Sequence, residues 1–250
     1  MFLNNKPLYK IFAGSCFLLI ASCASVSAPT NANKQFNPSS NNAIDQQANA
    51  FRNVQFWGKA YEADKKSSIN IIGYAKALSG IGSQDRAIKI LEIGSLEHPK
   101  DSAILRTYGN VLAKKGLVGP ALRKLQTALK YSPNNWRLYN EIGGLHSKLS
   151  EHLLARDSFK RALKISPNNA SIHTNMGLSY LLSKNLNLAE HHLSIAVSQP
   201  NATSRMRGNY ALALGLQGKY KQARKVFLQD MTLAQTEANI FNLKKINGVK

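Results

Sequence analysis

Few side chains in this sequence have the type and spacing to do covalent or metal chemistry. His191-His192 is the densest pair of potential ligands, but no third ligand stands at metal spacing and no His-Glu-x-x-His occurs. The pair reads as a solvent-facing stretch of helix. Gly80-Ile81-Gly82 looks like part of a phosphate-cradling loop, yet it lacks the third glycine and a preceding strand, so it reads as a turn between helices. A Gly-x-Ser-x-Gly nucleophile elbow does not occur. Cys16 and Cys23 are the only cysteines in 250 residues, too few for a disulfide framework or a paired-cysteine metal cluster. The expectation is a protein that is not an enzyme, with no cofactor, no metal and no small-molecule substrate.

What stays is charge. Lys and Arg number 33 against 13 Asp and Glu, a formal net charge of +20, and the pI is near 10.1. Such an excess raises nucleic acid or an anionic membrane as partner, so the compartment decides its meaning. An apolar fraction of 44% supports a sizeable core, while a mean hydropathy of −0.26 excludes a polytopic membrane protein.

The compartment is written at the start of the chain. Lys6 and Lys10 precede Ile11 to Ser22, twelve residues without a charge. That run is shorter than the ~20 residues a membrane span needs and has the form of an export signal. It ends in Ile20-Ala21-Ser22-Cys23, which resembles the lipobox of bacterial lipoproteins. The resemblance implies acylation of Cys23, cleavage before it and a firm lipid anchor; an ordinary signal peptide cut near Ala28 is the alternative. Loss of the signal removes two lysines, which lowers the net charge by two to +18. An exported protein is not expected to bind nucleic acid, so the basic surface is either plainly solvated or turned toward anionic lipid or an acidic partner. Ala24 to Asn42, rich in Ser, Asn, Pro and Thr, reads as a flexible tether reaching roughly 25 Å root-mean-square.

The elements that follow repeat. Pro99, Pro133, Pro167 and Pro200 are spaced by 34, 34 and 33 residues, the period and punctuation of the tetratricopeptide repeat, which the chain resembles. Counting from 68, 102, 136 and 170, position 8 is Ala75, Gly109, Gly143 and Gly177, and position 20 is Ala87, Ala121, Ala155 and Ala189. Position 27 is Gly94, Ala128, Ala162 and Ala196. Small residues there let the two helices of a repeat, A and B, approach closely. Position 24 is Leu91, Leu125, Phe159 and Leu193, expected to fill the seam to the next repeat, and Gly82 and Gly116 fall at position 15, in the A–B turn. The predicted fold is all-α, a tetratricopeptide-repeat superhelical solenoid of antiparallel helix pairs behind a lipoprotein signal and tether. Its predicted parts are the signal (1–22), acylated Cys and tether (23–42), a capping helix or half-repeat (43–67, with Trp57 and Ala60 at positions 24 and 27) and four repeats (68–203). A degenerate fifth repeat (204–231, with Asp230 at position 27) and a C-terminal cap and tail (232–250, helix from Thr236 to Ile246) complete it. Atypical ends are what a solenoid needs to finish its core against water.

In tetratricopeptide arrays positions 2, 5, 9, 12 and 13 of helix A generally face a concave groove. By that resemblance Arg106, Asn110, Lys114, Arg137, Asn140, Lys148 and Thr174, with Leu178, form the partner-binding strip, suited to an acidic or C-terminal peptide. Arg106 and Asn110 match half of the carboxylate-clamp pattern, while Glu141 replaces its amide and Ser171 its base. Beyond the repeats, Tyr61-Glu62-Ala63-Asp64, Tyr74 to Leu78, Asn175 to Tyr180, Asn209 to Tyr220 with Ala223, and Gln235 to Asn239 resemble the TadD family of tetratricopeptide lipoproteins of tight-adherence (Flp) pilus assembly. That likeness implies an outer-membrane scaffold facing the periplasm, with the pilus secretin or another assembly component as protein partner. A type IV pilus pilotin and an envelope adaptor recruiting cell-wall hydrolases are the alternatives.

Overall fold

The computed structural model describes residues 38–249, with side chains from residue 45. The lipobox, Cys23 and the expected tether up to residue 37 lie outside the described residues. Twelve helices and no strand make up the described part: α1 (Pro38–Ala63), α2 (Ser68–Gly80), α3 (Gln84–Glu97), α4 (Ser102–Lys114), α5 (Val118–Tyr131), α6 (Trp136–Lys148), α7 (His152–Ile165), α8 (Ala170–Leu182), α9 (Leu186–Val197), α10 (Ser204–Leu216), α11 (Tyr220–Phe227) and α12 (Leu233–Ile246). None of the described helices is long and apolar enough to cross a membrane. Residues 38–49 belong to one unit and residues 50–249, which hold the repeats, to a second.

The five A helices, α2, α4, α6, α8 and α10, begin behind Ser67, Asp101, Asn135, Asn169 and Thr203. Each of these side chains accepts a hydrogen bond from a backbone N–H of the first turn, satisfying a donor the helix cannot. The A–B turns are as regular. Position 15 is left-handed in every repeat: Gly82, Gly116 and Gly218 at φ 85, 90 and 78°, and Ser150 and Lys184 at φ 62 and 60°. The residue after it donates to the carbonyl of position 11, as in Glu151 N to His146 O at 2.9 Å and Asn185 N to Tyr180 O at 2.9 Å, closing a Schellman turn.

Inside each repeat, position 8 receives position 24. A Cβ on Gly109 would lie 2.8 Å from Leu125, on Gly143 2.6 Å from Phe159 and on Gly177 2.6 Å from Leu193. The bulky residue therefore sits over the glycine of its own repeat, and it also reaches the seam to the next, where Phe159 joins Ile172 and Met176 and Leu193 joins Ala213 in buried clusters. Ala75, Ala87, Ala121, Ala155 and Ala189 are wholly buried.

Two ends differ from the sequence expectation. Helix α1 starts at Pro38, five residues inside the segment expected as tether, with proline in the first turn, where its missing N–H costs nothing. Helix α12 starts at Leu233 rather than Thr236, because Thr232 and Gln235 form a reciprocal capping box. Within the second unit, Trp57 covers Gly73, where a Cβ would fall 2.2 Å from the indole, and Asn70 Nδ2 donates to Ala60 O at 2.9 Å. At the other end Leu243 of α12 occupies the space a Cβ on Gly215 would need. Asp230 lies beyond the end of α11 and pairs with Arg207 at 2.7 Å, which removes it from the core. Successive A helices touch along the array (α2 with α4, α4 with α6, α6 with α8, α8 with α10), and the described B helices make no comparable contact. The A helices thus form the inner, concave row.

Candidate functional site

The predicted strip lies on that row and is cross-linked by its own side chains. Arg106 Nε of α4 donates to both carboxylate oxygens of Glu141 on α6 at 2.9 Å, and Asn110 Nδ2 donates to Glu141 Oε1 at 3.1 Å. The Arg–Asn pair that resembles a carboxylate clamp is therefore filled by a carboxylate of the chain itself. Lys114 Nζ donates to Ser79 O on α2. Asn140 is buried and accepts from Asn175 Nδ2 of α8 at 3.0 Å. Thr174 is buried, and its hydroxyl donates to Ala170 O at 2.7 Å.

Arg137 and Lys148 are different. Both are exposed, and among the described residues neither has a carboxylate within ion-pairing distance. Arg137 lies over the Trp136 indole at 4.5 Å. Four of the seven predicted residues (Arg106, Asn110, Lys114 and Asn140) thus tie one A helix to the next, Thr174 bonds within its own helix, and Arg137 and Lys148 have no acidic partner among the described residues.

Between α4, α6 and α8 the row opens into a cleft of about 330 Å³. Asn110, Lys148 and Leu178 of the predicted strip meet Gly144, Leu145 and Leu182 there. A Cβ on Gly144 would meet no atom within 4 Å, so this glycine is the opening itself. Gly144 and Asn175 also line the cleft, and neither carries a charge that would mark it in the sequence. The available signal was an adjacent Gly143-Gly144 pair in mid-helix. A larger cleft of about 500 Å³ lies at the start of the array against Trp57, Ile72 and Gly73.

His191-His192 is not a solvent-facing pair. His191 is exposed, but His192 stacks between His173 and Tyr180, with ring centroids at 5.3 and 5.5 Å. His173 Nε2 lies 2.9 Å from Pro167 O, to which it donates, and its Nδ1 lies 3.1 Å from His192 Nδ1. Burial, with the nearby His173 and His191, pushes His192 down to about 4. No group of three or more His, Cys, Asp or Glu among the described residues could hold a metal ion.

The family model for the tetratricopeptide repeat matches residues 137–169, which are the third repeat from its second residue onward. The fold is a tetratricopeptide-repeat solenoid. Solved structures agree with that assignment. A chain of the APC/C hetero-tetramer Cut9-Hcn1 superposes with a TM-score of 0.68 at 13% identity over 80% of this chain and 41% of that one. The chain spans about two fifths of that relative's length. TTC0263 of Thermus thermophilus, a thermophilic tetratricopeptide protein, gives 0.60 at 22% identity, covering 71% of this chain and 98% of the other. YrrB, described as having an unusual peptide-binding site, gives 0.50 at 20% identity over 76% and 92%. At these identities the likeness is one of fold. No curated protein matches the chain. Tetratricopeptide solenoids as a class are scaffolds for protein–protein contact, presenting extended concave surfaces, and the groove described above is such a surface.

Proposed function

We propose that this protein is a non-enzymatic scaffold of the bacterial cell envelope that docks a protein partner in its concave groove. In this reading it is lipid-anchored through Cys23, sits at the outer membrane facing the periplasm, and serves assembly of the tight-adherence pilus. The partner is the pilus secretin or a neighbouring assembly component. The observation that carries docking is the inner row itself, where Lys148 lines an open cleft and Arg137 stands at the other end of the same helix, neither with an acidic partner among the described residues. The peptide-binding site ascribed to YrrB supports the same use of the fold. The anchor is supported by Ile20-Ala21-Ser22-Cys23, and the pilus role by the likeness of Asn209 to Tyr220, Ala223 and Gln235 to Asn239 to the TadD family. Mechanistically, lipid fixes one end of the molecule while the groove holds an acidic segment of the partner. Charges at the rim act chiefly on the association rate.

The test is crosslinking and pull-down from envelopes with the full protein as bait. Arg137→Glu with Lys148→Glu should leave the fold intact, since exposed charges contribute about 0–1 kcal/mol, and should abolish retrieval of pilus components. Reversal of Lys130 and Lys164 on the B helices is the control and should retain it. Equal loss in both would assign binding to bulk charge, and retrieval unaffected by either would remove the groove from the mechanism. Cys23→Ser should abolish incorporation of a clickable palmitate, and equal labelling would remove the anchor.

A further inference from the structure

We infer that the cleft beside Gly144 is a socket for one bulky apolar side chain (Tyr, Phe or Leu) of an extended partner segment, which carries Asp or Glu beside that side chain to meet Lys148. The inference rests on the docking groove proposed above and states what the groove selects.

Gly143 and Gly144 are adjacent and have opposite reasons to be glycine. At Gly143 a Cβ would lie 2.6 Å from the Phe159 ring and 3.0 Å from Ala155 O, so packing requires the glycine. At Gly144 a Cβ would touch nothing within 4 Å, and its φ is not left-handed. Glycine in a helix interior destabilises it relative to alanine. Neither packing nor backbone geometry requires that cost at Gly144, and what it leaves is room. The same repeat position carries Lys76, Asn110, Leu178 and Leu212 elsewhere, so the opening is peculiar to the third repeat.

The walls specify the occupant. Leu145, Leu178 and Leu182 surround the opening, with Phe159 beneath it. A volume of about 330 Å³ corresponds to roughly eleven waters at ~30 Å³ each, room for one large side chain and not for a helix. Charge selects what flanks it. The Glu141 charge is balanced by Arg106, with Asn110 donating a further hydrogen bond, which leaves Lys148 as the cleft's ion without a partner among the described residues. A bulky anchor in a pocket with a charged rim is the usual form of a binding hot spot.

The probe is a displayed library of random nonapeptides, selected on the detergent-solubilised full chain. Enriched peptides are then titrated by fluorescence anisotropy. The expected consensus is one bulky apolar residue with an acid within two positions. Gly144→Leu should weaken binding by about tenfold or more while melting no lower than wild type. Gly208→Leu, at another concave-side glycine with open space above it, should stay within about twofold on the same scale. Lys148→Glu should turn the flanking preference from acidic to basic. Peptides that bind Gly144→Leu as tightly as wild type, yet are lost on Arg137→Glu, would overturn the socket and leave the groove standing. Binding indifferent to every groove substitution, or no enrichment at all, would overturn both.

Discussion

Ser150 and Lys184 occupy the left-handed turn position that Gly82, Gly116 and Gly218 fill in the other repeats, with φ 62 and 60°. An L-residue in that conformation costs roughly 1–2 kcal/mol. Both side chains are exposed and make no side-chain hydrogen bond, so substitution removes no contact. The backbone bonds Ser150 N to Ser147 O at 3.1 Å and Lys184 N to Leu181 O at 3.0 Å survive in glycine. Glycine's greater freedom in the unfolded chain takes back about 0.4–1 kcal/mol. The net gain is about 0.5–1 kcal/mol per site, and about 1–2 kcal/mol for Ser150→Gly with Lys184→Gly together. For a chain of this length the melting temperature should rise by about 2–8 °C, at roughly 2–4 °C per kcal/mol. The reverse exchange, Gly116→Ser, should lower it by the single-site amount. Far-UV circular dichroism melts of the three variants at one protein concentration decide the matter. A double-glycine variant that melts at or below the wild-type temperature, or a Gly116→Ser variant that melts above it, would refute the strain argument.

Gly143→Leu forces side-chain atoms into the Phe159 ring and the Ala155 carbonyl and should cost about 3 kcal/mol, at the upper end for overpacking. The damage should spread to the adjoining repeats, and a melt equal to wild type would show the packing to be wrong. His192 is held neutral in the folded state, so the unfolded chain takes up the proton first as pH falls from about 6.5 toward about 4. Stability should therefore fall across that window, by about 1–2 kcal/mol once the ring's partial exposure is allowed for. His192→Phe, which keeps the stack on Tyr180, should flatten the pH dependence of the melt, and an unchanged slope would exonerate the histidine.

The repeat register was legible because it depends on residue size and on prolines, and both recur every 34 residues in the sequence itself. The helix starts at Ser68, Ser102, Trp136, Ala170 and Ser204 fall on that period. What was not legible depends on pairs formed across repeats. Glu141 could be seen as a departure from a clamp, but not as the carboxylate that fills it, since Arg106 lies 35 residues away. His192 stands beside a second histidine in sequence, while its stacking partners His173 and Tyr180 come from the preceding helix A. Pro38-Ser39-Ser40 has the composition of a linker, yet a helix running back from residue 63 carries it along. The start of α12 could have been found, because Thr232-x-x-Gln235 is a capping box in the sequence.

The ties along the inner row have a mechanical consequence. Lys114 to Ser79, Arg106 to Glu141 and Asn175 to Asn140 each join one helix A to the next, and each spans 35 residues of chain. Together they link α2 to α8 on one side of the array, and the described outer helices have no matching contacts. When the two ends of such a body are drawn apart, its inner side must lengthen most. These side chains would carry the tension first, ahead of the buried A–B seams. The groove is in this sense a leaf spring with its stiffness on the concave side, and a substitution such as Glu141→Ala softens the spring at one point without unfolding a repeat.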